Sequence, residues 1–472
     1  MQETVPASLP PAASAATPSA LPRQSGGLVR SVGRGSAGAL QAVGRFFLGW
    51  LRHPFRLLAL LGLLALIGVG IGLSWSQLWA WHHFRAGRTC LERHHSEEAA
   101  AHFRACLEVW PHDRDALLLA ARAAWRIGAF DEAEHLLGRY EQIAGQDERL
   151  DLERALLTAA RGEVDAVSRW CDAQLDQDHP AAPLMLEALT AGCLRMYRIP
   201  EAGGYIKRWQ ELDPDNPQAY LMLARLYDLM SQVDESVAAY RKAVELDPEN
   251  DGARLHLAAA LLDRHRPQEA LTHLDYLRQR LPDNPAVGLR LAQCKEYLRE
   301  PDEAVALLDE VLARHPHHGP ALVQRAKLEL ARPGADLGKA EAWLKEGVAR
   351  DPSDYQARHQ LRLCLERAGK HAEAQEQQRR LEAMNRDMER LSQITREEMG
   401  RRPHDPALQC EVGAILVRAG AFNEGARWLQ QALKEDPGYR PAHEALADLY
   451  QRTGNPGLAA RHREQARSAA RP

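Results

Sequence analysis

Several features that mark enzymes and metal proteins are missing from this 472-residue chain. No HExxH, Walker A or GxSxG motif occurs, so the sequence carries no signature of a zinc protease, a P-loop NTPase or a serine hydrolase. The seven cysteines form no CxxC spacing, which excludes a zinc ribbon. We expect Cys90, Cys106, Cys171 and Cys193 to be buried reduced thiols, with disulfides as the alternative.

Two short motifs come closest to a ligand site. The run GRGSAG at 33–38 has the GxGxxG spacing of a dinucleotide loop, but it follows no strand and opens no βαβ unit, so we interpret it as a spacer. His315, His317 and His318 fall in a predicted turn, where no rigid element would hold them around a zinc ion. The sequence therefore predicts no catalytic residue, no cofactor, no metal and no enzyme.

Basic residues show no excess that would favour nucleic acid. The formal net charge is -4, and aromatic residues make up only 6% of the chain. Six arginines and one acidic residue give residues 1–56 about +5, so the remaining chain is acidic. Because nucleic-acid affinity rests on clustered lysine and arginine, we expect no nucleic-acid partner.

The amino-terminal part predicts a membrane anchor. Residues 1–39 have no periodic apolar face and are rich in proline, alanine and serine, which is typical of a disordered tail. Residues 40–56 form a basic amphipathic segment suited to a membrane surface. The next 25 residues, 57–81, carry no charge and, at about 1.5 Å per residue, could cross a bilayer core of about 30 Å. Gly68 and Gly72 have the GxxxG spacing that lets two such helices associate.

The arginine distribution gives a prediction of topology. Arginines flank both ends of 57–81, but the short amino-terminal segment alone carries six. A short, strongly basic segment tends to stay in the cytoplasm. We predict a single-pass protein with a cytoplasmic amino terminus and the remaining chain outside the cytoplasm, with a cytoplasmic location of that part as the alternative.

The segment 217–250 defines the pattern of the rest of the chain. Apolar residues recur at helical spacing in both of its halves, first at Tyr220, Leu223, Ala224 and Tyr227 and then at Val233, Val237, Tyr240 and Ala243. The pairs Asn216-Pro217 and Asp247-Pro248 bound it, since a residue before proline is driven out of the helical region. The spacing predicts a 34-residue helical hairpin that needs neighbouring hairpins to bury its apolar faces.

Six residues of this hairpin resemble the characteristic positions of the tetratricopeptide repeat (TPR) family: Tyr220, Leu223, Ala224, Tyr227, Ala243 and Pro248. Ser236 departs from the pattern, because the family prefers alanine there. The resemblance implies an all-α, right-handed superhelical solenoid of antiparallel helix pairs. It also implies that the first helices line a concave groove where protein partners bind.

Similar patterns predict about eleven helix-turn-helix repeats, preceded by the transmembrane helix and the disordered tail. Nine repeats form an array at 80–400, near 80–113, 114–147, 148–182, 183–216, 217–250, 251–284, 285–318, 319–354 and 355–386. A helix extended over 370–400 ends this array, either as a strut on its own array or as a dimer arm. Two further repeats, 406–439 and 440–472, form a carboxy-terminal pair at 401–472.

The resemblance further implies which residues face the groove. The fifth residues of successive repeats form an apolar row, Phe84, Leu118, Leu152, Leu221, Leu255 and Leu289, which Glu187 interrupts. Arginines accompany the row at Arg88, Arg122, Arg126 and Arg225. We predict that these ten residues bind a helix or an extended peptide with alternating hydrophobic and acidic side chains. The alternative is that the winding of the solenoid buries the leucines.

The leading functional hypothesis is a membrane-anchored TPR scaffold that binds protein partners, in assembly or maturation of envelope or membrane complexes. One alternative places a ligand-binding or catalytic site in the degenerate region 148–216. Another makes the protein a self-associating adaptor that uses the helix 370–400.

Overall fold

The structure, a computed structural model, describes residues 75–177 and 179–469. The described residues from Trp79 onwards form one compact unit. All regular elements in the described ranges are helical, which confirms the all-α prediction for that part of the chain.

Twenty-two helices follow one another along the described residues. They are α1 (75–92), α2 (Ser96–Val109), α3 (Arg114–Arg126), α4 (Phe130–Ala144), α5 (Glu148–Arg161), α6 (Val164–Leu175), α7 (Ala182–Arg195), α8 (Ile199–Leu212), α9 (Pro217–Leu229), α10 (Val233–Leu246), α11 (Asp251–Asp263), α12 (Pro267–Arg280), α13 (Pro285–Tyr297), α14 (Pro301–Arg314), α15 (Gly319–Leu330), α16 (Leu337–Arg350), α17 (Tyr355–Arg367), α18 (His371–Gln393), α19 (Pro406–Arg418), α20 (Phe422–Glu435), α21 (Arg440–Arg452) and α22 (Pro456–Ser468). Each odd-numbered helix pairs with the next one, so they form eleven hairpins stacked in a TPR-like solenoid.

Asparagine and aspartate side chains start many of the first helices. The Asn216 side chain accepts a hydrogen bond from the Gln218 amide, and Pro217 occupies the first turn of α9. Asp113, Asn284 and Asp405 cap α3, α13 and α19 in the same way. Such caps satisfy backbone amides that have no partner inside the helix. Proline is favoured at the first helical position after the cap, because it has no amide hydrogen that would need a partner. The Asp-Pro-x-Asn type of junction therefore fixes where one hairpin ends and the next begins.

A residue with positive φ joins the two helices of the hairpins. Glycine takes this conformation at Gly128 and Gly420, with φ of 81° and 87°. Ser231, His265 and Arg299 adopt it at equivalent turns, with φ between 54° and 66°. The left-handed conformation costs an ordinary residue about 1–2 kcal/mol. The turn geometry is therefore kept even where the sequence does not supply glycine.

Small residues on the second helices allow the two helices of a hairpin to approach closely. Almost no surface remains exposed at Ala99, Ala133, Ala202, Ala270, Ala304 and Ala340. Ser236, which departs from the family pattern, is also fully buried, and its hydroxyl donates to the Asp228 carboxylate. That hydrogen bond compensates for burying a polar atom at a position that otherwise takes alanine.

The turn that joins α15 to α16 is longer than the usual turn between the two helices of a hairpin. It spans the six residues 331–336, whereas three residues, 230–232, join α9 to α10. The two helices that it joins and the next helix keep their packing, since Ala326, Ala340 and Ala357 are fully buried.

The long helix α18 packs within its own chain. It continues into a π-helical turn, Ile394–Glu398, and Leu381, Ile394 and Met399 are buried. The Arg390 guanidinium donates two hydrogen bonds of 2.7 Å to the Glu411 carboxylate on α19. The helix therefore contacts its own array, and Met388 is left half exposed.

The predicted transmembrane helix requires a correction. Among the described residues, no helix is both long enough and apolar enough to cross a membrane. The described end of the predicted span, 75–81, continues into helical residues that include Arg85 and Arg88, so α1 is not an apolar helix. For the described residues, the predictions of a single-pass membrane location and of the bilayer as a partner are therefore wrong. The tail 1–39, the segment 40–56, residues 57–74 and the Gly68/Gly72 pair lie outside the described residues.

Candidate functional site

A cavity of about 1190 Å³ lies on the inner side of the repeat array. The lining comes from the turns after α1 and α3 and from helices α7, α9, α11 and α20. Its apolar lining comprises Ala191, Leu194, Tyr197, Leu221, Leu229, Leu416 and Trp428. The cavity therefore collects residues from the first, middle and tenth hairpins.

Contacts between distant parts of the chain build these walls. The Tyr197 and Trp428 rings stack with centroids 5.9 Å apart and an interplanar angle of 15°. Next to this stack, the Lys434 ammonium lies 2.5 Å from the Glu163 carboxylate. On the other side, the Arg93 guanidinium lies 2.5 Å from the Glu249 carboxylate. The carboxy-terminal hairpins thus return to α5–α8, and the first hairpin reaches the turn before α11.

Most of the predicted apolar row lies in the core between hairpins. Leu118 and Leu289 are buried, and Phe84, Leu152 and Leu255 are half-buried against core residues. Of the six, Leu221 lines the cavity. The winding of the solenoid therefore covers most of the row, which is the alternative considered for these leucines.

The predicted arginines have different surroundings. Arg88 is exposed and lies 3.2 Å from Glu92 on the same helix. Arg122 pairs with the buried Glu153 carboxylate of the next hairpin.

Arg126 forms the most buried ion pair of this group. Its guanidinium lies 2.5 Å from the Glu187 carboxylate, and the two side chains are only 6% and 2% exposed. It also donates a 3.0 Å hydrogen bond to the Leu91 carbonyl. Glu187, the acidic residue that interrupts the apolar row, thus compensates a buried charge. Arg122 therefore joins neighbouring hairpins and Arg126 joins two hairpins that are separated by a third, so neither presents a free charge.

Arg225 differs from the other three, because it lines the cavity without an ion pair to any described residue. Of the ten predicted groove residues, Leu221, Arg126 and Arg225 line the cavity. The charge of Arg126 is already paired with Glu187. Sequence reasoning missed Arg195, Tyr197, Arg427 and Trp428. No periodic signal could have found them, since they meet only when the last hairpins fold back.

The cavity lining carries balanced charge. Seven arginines line it: Arg93, Arg126, Arg161, Arg195, Arg225, Arg280 and Arg427. Seven carboxylates face the same space: Glu97, Glu98, Glu187, Asp228, Glu249, Asp251 and Glu424. Such a lining suits a ligand with both polar and apolar groups better than a polyanion.

The groups that could support catalysis have structural roles. Across the described ranges, no three His, Cys, Asp or Glu side chains are placed to hold a metal ion. His318 caps α15 and His317 contacts Glu346 at 2.6 Å, so this short histidine cluster is divided between different partners. Burial raises the pKa of the Cys193 thiol to about 12 and that of Cys171 to about 11. These thiols are therefore protonated and unreactive near neutral pH.

Comparisons with known proteins follow the repeat pattern. The family model described as Tetratricopeptide repeat matches residues 91–160 and 261–330. A second model, described as Anaphase-promoting complex, cyclosome, subunit 3, matches residues 195–277. A search of the curated proteins finds no match.

Several solved structures match the chain at low sequence identity and low TM-score. An IFIT1 monomeric mutant with Gppp-AAAA is 16% identical with a TM-score of 0.40, over 76% of this chain and 91% of that chain. The human IFIT1 dimer with m7Gppp-AAAA is 16% identical with a TM-score of 0.39 over the same shares. YrrB, described as a TPR protein with an unusual peptide-binding site, is 17% identical with a TM-score of 0.33, over 40% of this chain and 95% of that chain.

Proposed function

Because the chain is a TPR protein, and thus of a fold that serves as a scaffold for protein interactions, we propose that it binds a peptide segment of a protein partner in the central cavity. The observation that carries the proposal is the cavity itself, which lies where the hairpins converge and combines apolar and charged lining.

The size of the cavity favours a peptide over a small metabolite. Pockets for small molecules usually have volumes of about 300–1,000 Å³. This cavity has about 1190 Å³ and is partly open to solvent, so it can accept part of a larger molecule. An extended peptide or a short helix would fill this space.

The lining matches an amphipathic segment. Leu221, Leu416 and Trp428 offer apolar contact, while Gln218 and Arg225 offer hydrogen bonds beside them. Alternating apolar and polar side chains of a bound segment would find partners of both kinds. Of the predicted groove residues, Leu221 and Arg225 are the two that we assign to direct contact.

The proposal is tested by filling the cavity. The full chain would be used to select binders from a library of random twelve-residue peptides displayed on phage. Ala191→Trp and Gln218→Trp place a large ring in the cavity. We expect enriched peptides to bind the unmodified chain and to lose at least tenfold in affinity for either variant.

The matched control is Gln378→Trp, which adds the same ring to an exposed position of α18. This control should bind the selected peptides as the unmodified chain does. If no peptide is enriched, or if the cavity variants bind as tightly as the control, the cavity is not the binding site.

A further inference from the structure

Three guanidinium groups surround one buried phenyl ring at the edge of the cavity. The guanidinium carbons of Arg195, Arg427 and Arg161 lie 4.8, 5.6 and 6.0 Å from the centroid of the Phe130 ring. Cation–π attraction helps to hold them there. With Arg225, whose charge also acts on Arg195, they form what we call the Phe130 arginine cluster. All four arginines line the cavity.

Nearby carboxylates pair with only some of the arginines in the cluster. Arg161 lies 3.4 Å from Glu134, and Arg427 lies 3.7 Å from Glu424. Arg195 donates to the Ala160 carbonyl at 3.2 Å and, like Arg225, has no ion pair among the described residues.

The titration of Arg195 agrees with this imbalance. Burial is the main reason that the pKa of Arg195 falls to about 10; the charges of Arg427 and Arg225 lower it further, and the Glu424 carboxylate opposes them. A buried cation without a counter-ion is unfavourable. An anionic group placed in this corner would relieve that unfavourable state.

The rest of the cavity decides which anion fits. Glu187, Asp228, Glu249 and Asp251 line the same space, so a chain of phosphates would meet carboxylates along most of its length. One acidic group flanked by apolar ones meets no such repulsion. Next to the cluster, the partly exposed Tyr197 ring offers an apolar surface, backed by the buried Leu194 and Trp428.

We infer that the Phe130 arginine cluster receives one acidic side chain of the bound peptide and so fixes the register of that peptide in the cavity. This inference rests on the proposed function and adds to it the chemical class of the anchoring residue. Arg225 and Arg195 supply the guanidinium donors, and the Tyr197–Trp428 stack contacts the neighbouring apolar residue.

The experiment repeats the peptide selection with the Arg195→Gln/Arg225→Gln variant of the full chain. With the unmodified chain, aspartate or glutamate should be enriched at one fixed position of the selected peptides, and the variant should lose that enrichment. Direct affinities come from fluorescence anisotropy of one selected peptide and of its glutamine counterpart. Charged hydrogen bonds predict a loss of about tenfold or more for the acidic peptide, with little change for the glutamine peptide.

Two further variants guard against an indirect effect. Arg225→Gln alters an exposed side chain and should give part of the loss with an unchanged melting temperature. Arg386→Gln removes an exposed arginine of α18 that does not line the cavity, and it should change nothing.

Several outcomes would overturn the inference. One is a selection without a fixed acidic position, and another is an equal loss for the acidic and glutamine peptides. Displacement of the peptide by a single-stranded oligonucleotide, reversed by the arginine substitutions, would assign the cluster to nucleic acid instead. If peptides bind, and Ala191→Trp blocks them while the arginine variants do not, the proposed function stands and this inference falls.

Discussion

The Tyr197 ring stacks on the Trp428 ring, and this contact joins the fourth hairpin to the tenth. Tyr197 has a positive φ of 52°, so the turn after α7 directs its side chain towards the returning hairpin. The stack belongs to a cluster with Leu416 and Met196 around Trp428. The shape of the cavity therefore depends on the tenth hairpin as well as on the first.

The first prediction concerns this stack. Trp428→Ala should lower the free energy of unfolding by about 3 kcal/mol, because a large buried side chain is lost and a void remains. Trp428 is 3% exposed, whereas Trp170 on α6 is 40% exposed and offers a matched control. Trp170→Ala should cost less than about 0.5 kcal/mol. Urea unfolding measures both, and equal losses would show that the stack contributes no more than a surface residue.

The second prediction concerns the buried ion pair of Arg126 and Glu187. Glu187→Leu alone should cost about 3–5 kcal/mol, because it leaves the guanidinium buried without a counter-charge. Adding Arg126→Met should recover much of that loss, since two apolar residues can replace a buried pair. The exposed pair Arg149–Asp115 is the control, and its Asp115→Asn variant should cost less than about 1 kcal/mol. A thermodynamic cycle by chemical denaturation provides the test, and additive single and double losses would contradict it.

The third prediction uses the left-handed turns. Arg299 has φ of 66°, is exposed and makes no ion pair with a described residue, so its replacement isolates the backbone effect. Arg299→Gly should stabilise by about 0.5–1 kcal/mol, because the relief of about 1–2 kcal/mol exceeds the extra entropy of glycine. Gly420→Ala, at φ of 87°, should destabilise by about 1 kcal/mol. Calorimetric melting of the two variants should move in opposite directions, and a shared direction would refute the assignment.

The fourth prediction concerns pH. Burial lowers the pKa of His94 from its ordinary value of 6.5, with Glu187 and Asp247 opposing that shift and Arg126 and His95 adding to it. Between the lowered pKa and 6.5 the unfolded chain binds more protons, so stability is complete above 6.5 and is lost as the pH falls through this window. His94 has a positive φ of 58°. His94→Asn should reduce the loss between about pH 7.5 and about pH 5, since asparagine tolerates positive φ and does not titrate. The free energy of unfolding, measured with urea at the two pH values, checks this prediction. A larger loss of stability at the lower pH in the variant than in the unmodified chain would contradict it.

The repeat period was accessible from the sequence because each hairpin is defined locally. Apolar spacing and the Asn216-Pro217 junction set the helix ends, and residues within one hairpin determine both. The conformation of the turns could be predicted from the sequence only in part. Glycine signals the left-handed residue at Gly420, but Arg299 adopts the same geometry because the helices packed on both sides impose it.

The site was harder to predict for a physical reason. Whether Leu118 faces a groove or a neighbouring hairpin depends on the winding between hairpins, which a 34-residue period does not specify. Arg126 likewise could not be matched with Glu187, because they lie two hairpins apart. The approach of Trp428 to Tyr197 depends on the summed winding of six hairpins, so no local pattern contains it.

The long turn at 331–336 indicates where this fold can change its length. Its three extra residues lie at the tip of a hairpin, while the capped junctions between hairpins remain as they are elsewhere. Pro333 and Gly334 are both exposed there. Insertions at hairpin tips would therefore be accommodated without disturbing the stacking, which makes 333–334 the natural position for a dye or an affinity sequence.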